Sequence, residues 1–250
     1  MNILDIDAGN TRLKWRLQSK GNTKASGAIQ NAAIKVMVTS LVESLDGIPV
    51  HFSRMSSVRS SEVIENICAK IKDAFGVTPR LPDPIAETPG LTVRNVNPHR
   101  LGCDRWLAML GARALYPDQA VMIVDSGTAL TLDVVGANGI FQGGLICPGL
   151  NTMLRSVTES TDLLVLPDVP KFERGLAFPS LQAIQNGSLS MAAALIEKEV
   201  ERYSGSIRLL LCGGDARLLA ECLTIPVEYY KDLVLDGLAV AIPAGEEKEE

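Results

Sequence analysis

Histidine, aromatic residues and paired cysteines are scarce in this chain of 250 residues. It has 2 His, its aromatic residues make up 4%, and its 5 Cys include no Cys-x-x-Cys pair. Because His51 and His99 lie far apart in the sequence, no familiar zinc spacing can be written, and a His-dependent catalytic triad is disfavoured. We interpret the scattered cysteines as reduced, small apolar residues.

The chain also lacks an excess of positive charge and a long apolar run. Its 24 Lys+Arg face 29 Asp+Glu, which gives a formal net charge of -5 and a pI near 5.2. This balance argues against a nucleic-acid or anionic-membrane partner, and no apolar run reaches the roughly 18 residues that a membrane span needs. The first residues carry acids and no basic leader region. We therefore expect a cytoplasmic protein with a small-molecule partner.

What the sequence does contain is an alternation of strand and helix patterns, which predicts an α/β protein. Strands are predicted at Asn2–Asp7, Leu13–Gln18, Val50–Arg54, Ala120–Asp125, Ala129–Val135, Gly144–Cys147, Arg208–Cys212 and Val227–Tyr229. Helices are predicted at Ala32–Leu45, Ser60–Phe75, Arg105–Leu115, Leu150–Thr158, Ser180–Tyr203 and Asp215–Glu221. Thr78–Pro98, with its repeated prolines, is predicted to be a long irregular loop, and the charged end Glu246–Glu250 a solvated tail.

A short internal repeat suggests how the chain is organised. Ile6–Thr11 reads Ile-Asp-Ala-Gly-Asn-Thr, and Val124–Ala129, which begins 118 residues later, reads Val-Asp-Ser-Gly-Thr-Ala. Each copy follows one apolar strand and precedes another. The repeat predicts two related domains, residues 1–117 and 118–250, each of which opens with a hairpin.

The repeated turn has the donors that phosphate oxygens require. We expect Gly9 and Gly127 to allow positive φ and close approach of a ligand to backbone N–H groups. Asn10, Thr11 and Thr128 add neutral side-chain donors.

The repeated carboxylates suit cations rather than phosphates. Asp7 and Asp125 end their strands and would repel a phosphate, so we expect them to hold a cation or its water molecules. Two plain structural hairpins are the alternative interpretation, because a single Asp-x-Gly turn is a weak signal.

Three further segments could contribute to a site. In Leu101–Trp106, Asp104 is either the N-cap of a helix or a general base beside the anion-binding side chain of Arg105. The glycines of Gly143–Leu150 permit close approach of a substrate to the backbone. Leu211–Asp215 is a strand-Gly-Gly-helix junction that could accept a ribose, or simply a tight turn.

Together these motifs resemble the type III pantothenate kinase family, in the superfamily of actin, heat-shock chaperone ATPases and sugar kinases. The resemblance covers nearly the whole chain, and the joint pattern is much more specific than any one piece. Its motifs are Asp7–Lys14, Gly102–Arg105, Asp125–Thr128, Gly143–Gly149, Cys212–Asp215 and Asp236–Leu238.

The resemblance implies two ribonuclease-H-like domains related by duplication, with ATP in the cleft between them. It also implies a homodimer whose interface completes the pantothenate site. The implied ATP-binding residues are Asp7, Ala8, Gly9, Asn10, Thr11, Arg12, Leu13, Lys14 and Thr128. Asp7 would in addition hold magnesium through water.

On the substrate side, the resemblance implies ATP-dependent phosphorylation of pantothenate to 4'-phosphopantothenate, the first step of coenzyme A biosynthesis. The implied pantothenate-binding residues are Asn95, Gly102, Cys103, Asp104, Arg105 and Ser180. Asp104 would be the catalytic proton acceptor, and Asp125 would bind a monovalent cation, potassium or ammonium.

Three positions depart from the family pattern. Asn95 stands where the family often has Tyr, so that an amide would replace an aromatic contact with the substrate. Ser180 stands for a Thr and keeps the hydroxyl, whereas Cys212 stands for a Thr and is expected to loosen one hydrogen bond on the adenosine side.

Two alternative functions stay open at this level. One is a non-catalytic relative that acts as an accessory factor in gene regulation, which the retained Asp7, Asp104 and Asp125 and the negative net charge disfavour. The other is a kinase for a different small alcohol, which the change at Asn95 keeps open.

Overall fold

The structure is a computed structural model that describes residues 1–30, 33–85, 87–94 and 97–244. Asn95, the predicted helix start Ala32 and the predicted tail Glu246–Glu250 lie outside these residues. The chain forms two compact units. The first consists of Met1–Thr88, Val93–Ala114 and the chain from Leu233, and the second of Pro89–Thr92 and Leu115–Asp232.

The first unit is built on a four-stranded sheet. Its elements are β1 (Asn2–Ala8), β2 (Arg12–Ser19), β3 (Asn22–Gln30), α1 (Ile34–Leu45), β4 (Phe52–Ser57), α2 (Ser61–Phe75), β5 (Glu87–Thr88), a 3-10 turn (Pro98–Arg100), α3 (Cys103–Leu115) and α7 (Leu233–Ala241). The strand order is β3-β2-β1-β4, with β1 antiparallel to β2 and parallel to β4. Leu4, Ile6 and Ala8 of β1 belong to a core that α1 and α2 cover.

The second unit is built on a five-stranded sheet. Its elements are β6 (Leu91–Thr92), β7 (Val121–Ser126), β8 (Ala129–Val135), β9 (Phe141–Pro148), α4 (Leu150–Thr158), α5 (Ser180–Arg202), β10 (Arg208–Gly213), α6 (Ala216–Cys222) and β11 (Glu228–Tyr229). The order is β11-β10-β7-β8-β9, with β7 antiparallel to β8 and parallel to β10. Met122 and Val124 of β7 face a core formed with α4, α5 and α6.

The two sheets share one topology. In each, the first strand forms a hairpin with the second, the third strand extends that hairpin on its outer side, and a later strand adds parallel to the first. The predicted α/β class and the duplication are therefore confirmed. The described residues include no helix that is long and apolar enough to cross a membrane.

The domain boundaries differ from the predicted ones. Apart from the short excursion Pro89–Thr92, the chain passes from the first unit to the second at Ala114/Leu115, and α7 belongs to the first unit, although residues 118–250 were predicted to form one domain. The buried side chains of Arg16 and Arg54 explain the placement of α7. Arg16 Nη2 donates to the carbonyl oxygen of Leu235 at 3.0 Å, and Arg54 Nη1 donates to that of Ile242 at 2.5 Å.

Two elements had no counterpart in the sequence prediction. The strand β3 has a polar, small-residue sequence, and its residues become a strand by pairing along the whole of β2. The helix α7 is almost entirely apolar over nine residues, so its sequence has no helical periodicity to detect. The predicted loop Thr78–Pro98 is mostly irregular and contains the short strands β5 and β6.

Candidate active site

The first repeated turn is the hairpin that joins β1 and β2. Asp7 lies opposite Lys14, and the turn closes through a hydrogen bond from Gly9 N to Arg12 O at 3.1 Å. Asn10 and Arg12 are exposed at the tip. The hairpin thus presents a carboxylate, two basic side chains and neutral donors within eight residues.

The second repeated turn is the corresponding hairpin between β7 and β8. Asp125 lies opposite Thr131, and Gly127 N donates to Ala129 O at 2.9 Å. Thr128 is exposed at the tip, so it is accessible to a ligand. Neither Gly9 nor Gly127 has a positive φ, and the prediction that these glycines adopt it was wrong. The first turn has three residues between β1 and β2, so it is wider than the two-residue hairpin that demands that conformation.

Two glycines pack tightly against the second hairpin. A Cβ on Gly149 would overlap the carbonyl oxygen of Gly127, and Gly213 has φ +95° and would meet the carbonyl oxygen of Ser126. A Cβ on Gly213 would also meet a carboxylate oxygen of Asp125. The close approach predicted at these glycines is therefore made by the chain's own backbone, and it fixes the position of the second hairpin.

The start of α3 carries the residues expected to bind substrate and to act as base. The helix begins at Cys103, so Asp104 lies in its first turn and is not the N-cap, contrary to the capping interpretation. Asp104 Oδ1 accepts a hydrogen bond from Arg105 N at 2.8 Å. A carboxylate in the first turn is stabilised by the positive end of the helix dipole.

Cys103 lies among the acidic groups of the first unit. Burial, with Asp104 and Asp7 adding negative charge, raises the pKa of its thiol to about 12, although a hydrogen bond with Ser56 opposes the shift. The thiol is therefore protonated at neutral pH and is no nucleophile. Since both carboxylates act on one thiol, Asp7 and Asp104 belong to one cluster.

The remaining predicted residues have clear positions. Ala8 and Leu13 are buried in the core of the first unit, so only their backbone could meet ATP. Gly102 directly precedes α3, and a Cβ there would lie 2.6 Å from Asp104 Oδ1. Ser180 is the exposed first residue of α5 in the second unit.

Sequence reasoning missed Ser56, on the strand β4 beside Asp7. Ser56 Oγ donates to Asp7 Oδ1 at 3.4 Å. Its segment, Phe52–Ser57, shows only a strand pattern and no recognisable motif, so no sequence signal could have found it.

A cavity of about 420 Å³ lies elsewhere in the second unit. Its lining includes Met122, Leu132 and Tyr203, and also Gly143 and Gly144 of the predicted substrate-approach segment, but none of the residues predicted to bind ATP, pantothenate or a cation. The cavity therefore contains none of the carboxylates predicted to take part in phosphoryl transfer, which are Asp7, Asp104 and Asp125.

Comparison with solved structures supports the fold. A structure described as a conserved putative Baf family transcriptional activator from Campylobacter jejuni matches with a TM-score of 0.57 at 19% identity, over 94% of each chain. The activator of the 2-hydroxyisocaproyl-CoA dehydratase from Clostridium difficile, with bound ADPNP, matches with a TM-score of 0.56 at 12% identity, over 96% of this chain and 93% of the other.

Comparison of sequences gives much closer relatives. A type III pantothenate kinase of Laribacter hongkongensis is 38% identical over 95% of this chain and 97% of its own length. Those of Aromatoleum aromaticum and Pseudomonas putida are 36% and 33% identical, over 95% and 96% of this chain and 96% and 99% of their own lengths. Residues 3–202 match the family signature described as type III pantothenate kinase. The chain therefore belongs to the type III pantothenate kinase family.

Proposed function

We propose that this protein transfers the γ-phosphoryl group of ATP to the terminal hydroxyl of pantothenate, the first step of coenzyme A biosynthesis. The observation that carries the proposal is the cluster of Asp7, Cys103 and Asp104 in a chain of this family. In this cluster, Asp7 belongs to the β1–β2 hairpin, which is suited to the phosphates of ATP, and Asp104 belongs to the start of α3, which is suited to the alcohol. We place this reaction in the cytoplasm, where free thiols like those of the five cysteines are usual.

The first hairpin would bind the phosphates of ATP. Lys14 shares a sheet face with Asp7, and Arg12 is exposed at the tip, so two cations are available to neutralise phosphate charge. Exposed Thr128 on the second hairpin would add a neutral hydrogen bond. Phosphoryl transfer depends mainly on such positioning and charge neutralisation.

Magnesium fits the donor set around Asp7. No group of three or more His, Cys, Asp and Glu side chains in the described ranges could hold a metal. Magnesium suits such a site, since with nucleotides it takes one or two carboxylates, water and the phosphates themselves. Asp7 would hold it through water, and the ion would supply charge neutralisation at the transferred group.

A monovalent cation would bind at Asp125. This carboxylate packs against Gly213, next to the carbonyl oxygen of Ser126, so two kinds of oxygen ligand are available for the cation. The residue in register with Asp125 on β10 is Cys212, so this strand adds no second carboxylate there. We expect little turnover in sodium-only buffer and recovery with potassium or ammonium. Equal turnover in all three salts would contradict this role.

Asp104 would take the proton of the pantothenate hydroxyl as that oxygen attacks the γ-phosphorus and ADP leaves. Its carboxylate lies in the first turn of α3, beside Arg105, which would orient the substrate. Gly102 leaves room for the Asp104 carboxylate at the entrance to this turn.

A homodimer would complete the pantothenate site. The segment before Ser180 exposes large apolar side chains, among them Leu163, Val169, Leu176 and Phe178. Apolar exposure on this scale is typical of an interface, and Ser180 at the end of the segment would contact pantothenate. Leu176→Asp with Phe178→Asp is expected to yield monomers that bind ATP but not pantothenate, by sedimentation and calorimetry. A fully active monomer would refute the dimer.

The Asp104→Asn variant tests the mechanism. Asn preserves side-chain volume and the hydrogen bond from Arg105 N but cannot accept the proton, so we expect turnover to fall by about 10² to 10⁴. ATP binding and the melting temperature are expected to stay nearly unchanged. The control is Asp73→Asn, an exposed carboxylate of α2.

Pantothenate-dependent ADP release by the unmodified protein tests the reaction itself. Phosphorylation of another alcohol in place of pantothenate, or no turnover at all, would favour the two alternative functions. A folded Asp104→Asn protein with near-normal turnover would remove Asp104 as the base but leave the reaction standing.

A further inference from the structure

Ser56 is a buried hydroxyl beside Asp7. It lies on β4 in parallel register with Asp7 on β1, and it is fully buried. Its Oγ donates to Asp7 Oδ1 at 3.4 Å. This distance is longer than that of a usual O–H···O bond.

The Ser56 hydroxyl also lies near the thiol of Cys103 at the start of α3, where it opposes the rise in the pKa of that thiol. Ser56 therefore lies between the Asp7 carboxylate on β1 and the first turn of the helix that bears Asp104.

A second serine on the same strand shows what a purely structural role looks like. Ser53 is buried as completely as Ser56, and its Oγ donates to the backbone carbonyl of Leu4 at 3.1 Å. That bond stabilises the pairing of β4 with β1 and touches no functional group. Ser56 instead donates its hydrogen bond to the side-chain carboxylate of Asp7 at the hairpin.

We propose that Ser56 is a positioning residue, which orients the Asp7 carboxylate for magnesium and the ATP phosphates. The hydrogen bond holds one oxygen of that carboxylate against β4. The proposal rests on the proposed function, because it takes Asp7 as the magnesium-side carboxylate. Loss of such a supporting partner typically weakens metal affinity or activity by about 10- to 100-fold.

The test compares Ser56→Ala with Ser53→Ala, and the probe is Mn²⁺ with a non-hydrolysable ATP analogue, followed by electron paramagnetic resonance. Both variants lose one buried hydrogen bond, so we expect similar falls in melting temperature. Only Ser56→Ala is expected to weaken Mn²⁺ binding, by about tenfold or more. In steady-state assays its KM for Mg·ATP is expected to rise more than its kcat falls.

Ser56→Cys provides the conservative rescue. It keeps a proton donor at nearly the same volume, so Mn²⁺ affinity is expected to recover in part, and this variant also serves if Ser56→Ala fails to fold. Unchanged Mn²⁺ affinity in folded Ser56→Ala, no recovery of Mn²⁺ affinity in folded Ser56→Cys, or an equal loss in Ser53→Ala would overturn the proposal. Because Mn²⁺ binding requires no pantothenate, the result is separate from a failure of the proposed reaction.

Discussion

The two aspartate hairpins have the same topology but opposite surroundings. Asp7 shares its sheet face with Lys14 and Ser56, whereas the register partners of Asp125 are Thr131 and Cys212. The first hairpin is therefore surrounded by charge and hydrogen-bond donors, and the second by neutral side chains.

The difference continues one layer deeper. Two residues before Asp7, Asp5 is fully buried between Arg16 and Arg54, with Arg54 Nε donating to Asp5 Oδ1 at 2.6 Å and Arg16 Nη2 donating to Oδ2 at 3.0 Å. Two residues before Asp125 lies Ile123, which pairs with Leu210 on one side and with the buried Asp133 on the other. The first strand of the duplicated hairpin thus has an ionic foundation around Asp5 in one copy and an apolar residue at the corresponding position in the other.

The largest effect is expected from Asp5→Asn, which breaks the ionic foundation. Among the residues that the structure describes, the change leaves two buried guanidinium groups with Asp236 as their one carboxylate partner, so the free energy of unfolding is expected to fall by about 3 to 5 kcal/mol. Urea denaturation of both proteins measures this loss. The matched control, Asp46→Asn on the exposed turn after α1, should change stability by less than about 0.5 kcal/mol. A loss at Asp5 no larger than that of the control would show that the ionic layer is dispensable.

The next effect concerns the tight packing behind the second hairpin. Gly213→Ala places a Cβ against Ser126 and Asp125 at φ +95°, and we expect it to lower the free energy of unfolding by about 2 to 3 kcal/mol. It should also displace Asp125 and raise the potassium concentration needed for half-maximal turnover. Gly9→Ala is the control, since its Cβ would lie 3.3 Å from Arg12 O without positive φ. Equal losses in the two variants would remove the distinction between a tightly packed and an open hairpin.

Nucleotide affinity compares the two hairpin tips directly. Lys14→Met is expected to weaken binding of a non-hydrolysable ATP analogue by about 2 kcal/mol, or roughly 30-fold, because it removes a charged hydrogen bond. Thr128→Val removes a neutral one and is expected to cost about 1 kcal/mol, or roughly fivefold. Isothermal titration calorimetry on both proteins gives the ratio. A larger loss for Thr128→Val would reverse the assignment of the charged hairpin to the phosphates.

The smallest effect is expected in a hydrogen-bonded cluster of the second unit, far along the strands from Asp125. Tyr116 precedes β7, and its hydroxyl bonds Glu228 Oε2 at 2.5 Å. This bond raises the pKa of Tyr116 and lowers that of Glu228. The carboxylate therefore stabilises the fold at pH values above about 4.5, and the phenol does so below about 10.

Tyr116→Phe is expected to reduce stability by less than about 1 kcal/mol, and the full difference is expected between those two pH values. The difference is lost as pH falls through the lowered pKa of Glu228 and as pH rises through the raised pKa of Tyr116. Melting curves from about pH 3 to about pH 11 measure it, and the advantage of the wild-type protein should decline toward both ends. A difference that stays constant across the range would mean that the cluster contributes packing rather than hydrogen bonding. The Tyr116 cluster lies near solvent, whereas Asp5 is fully buried. The difference between the two expected losses in the free energy of unfolding therefore measures how much burial strengthens a charged interaction.

The sequence by itself determined the α/β class, the duplicated hairpins and the family. These follow from local signals: apolar periodicity over each strand and helix, and short motifs whose order is family-like. It also indicated Asp7, Asp104 and Asp125, because carboxylates at strand ends and loop-helix junctions are visible as patterns. The proposed roles of these residues remain predictions.

Only the tertiary structure decided which residues support those carboxylates. Ser56 meets Asp7 because β4 adds parallel to β1 in one particular register, and the α7 helix joins the first unit because Arg16 and Arg54 reach its carbonyl groups. The partners in these contacts are separated by 49 to 219 residues along the chain. Local propensity contains no information about such pairings, since they are fixed by strand register and by the burial of charge, which exist only once the chain has folded.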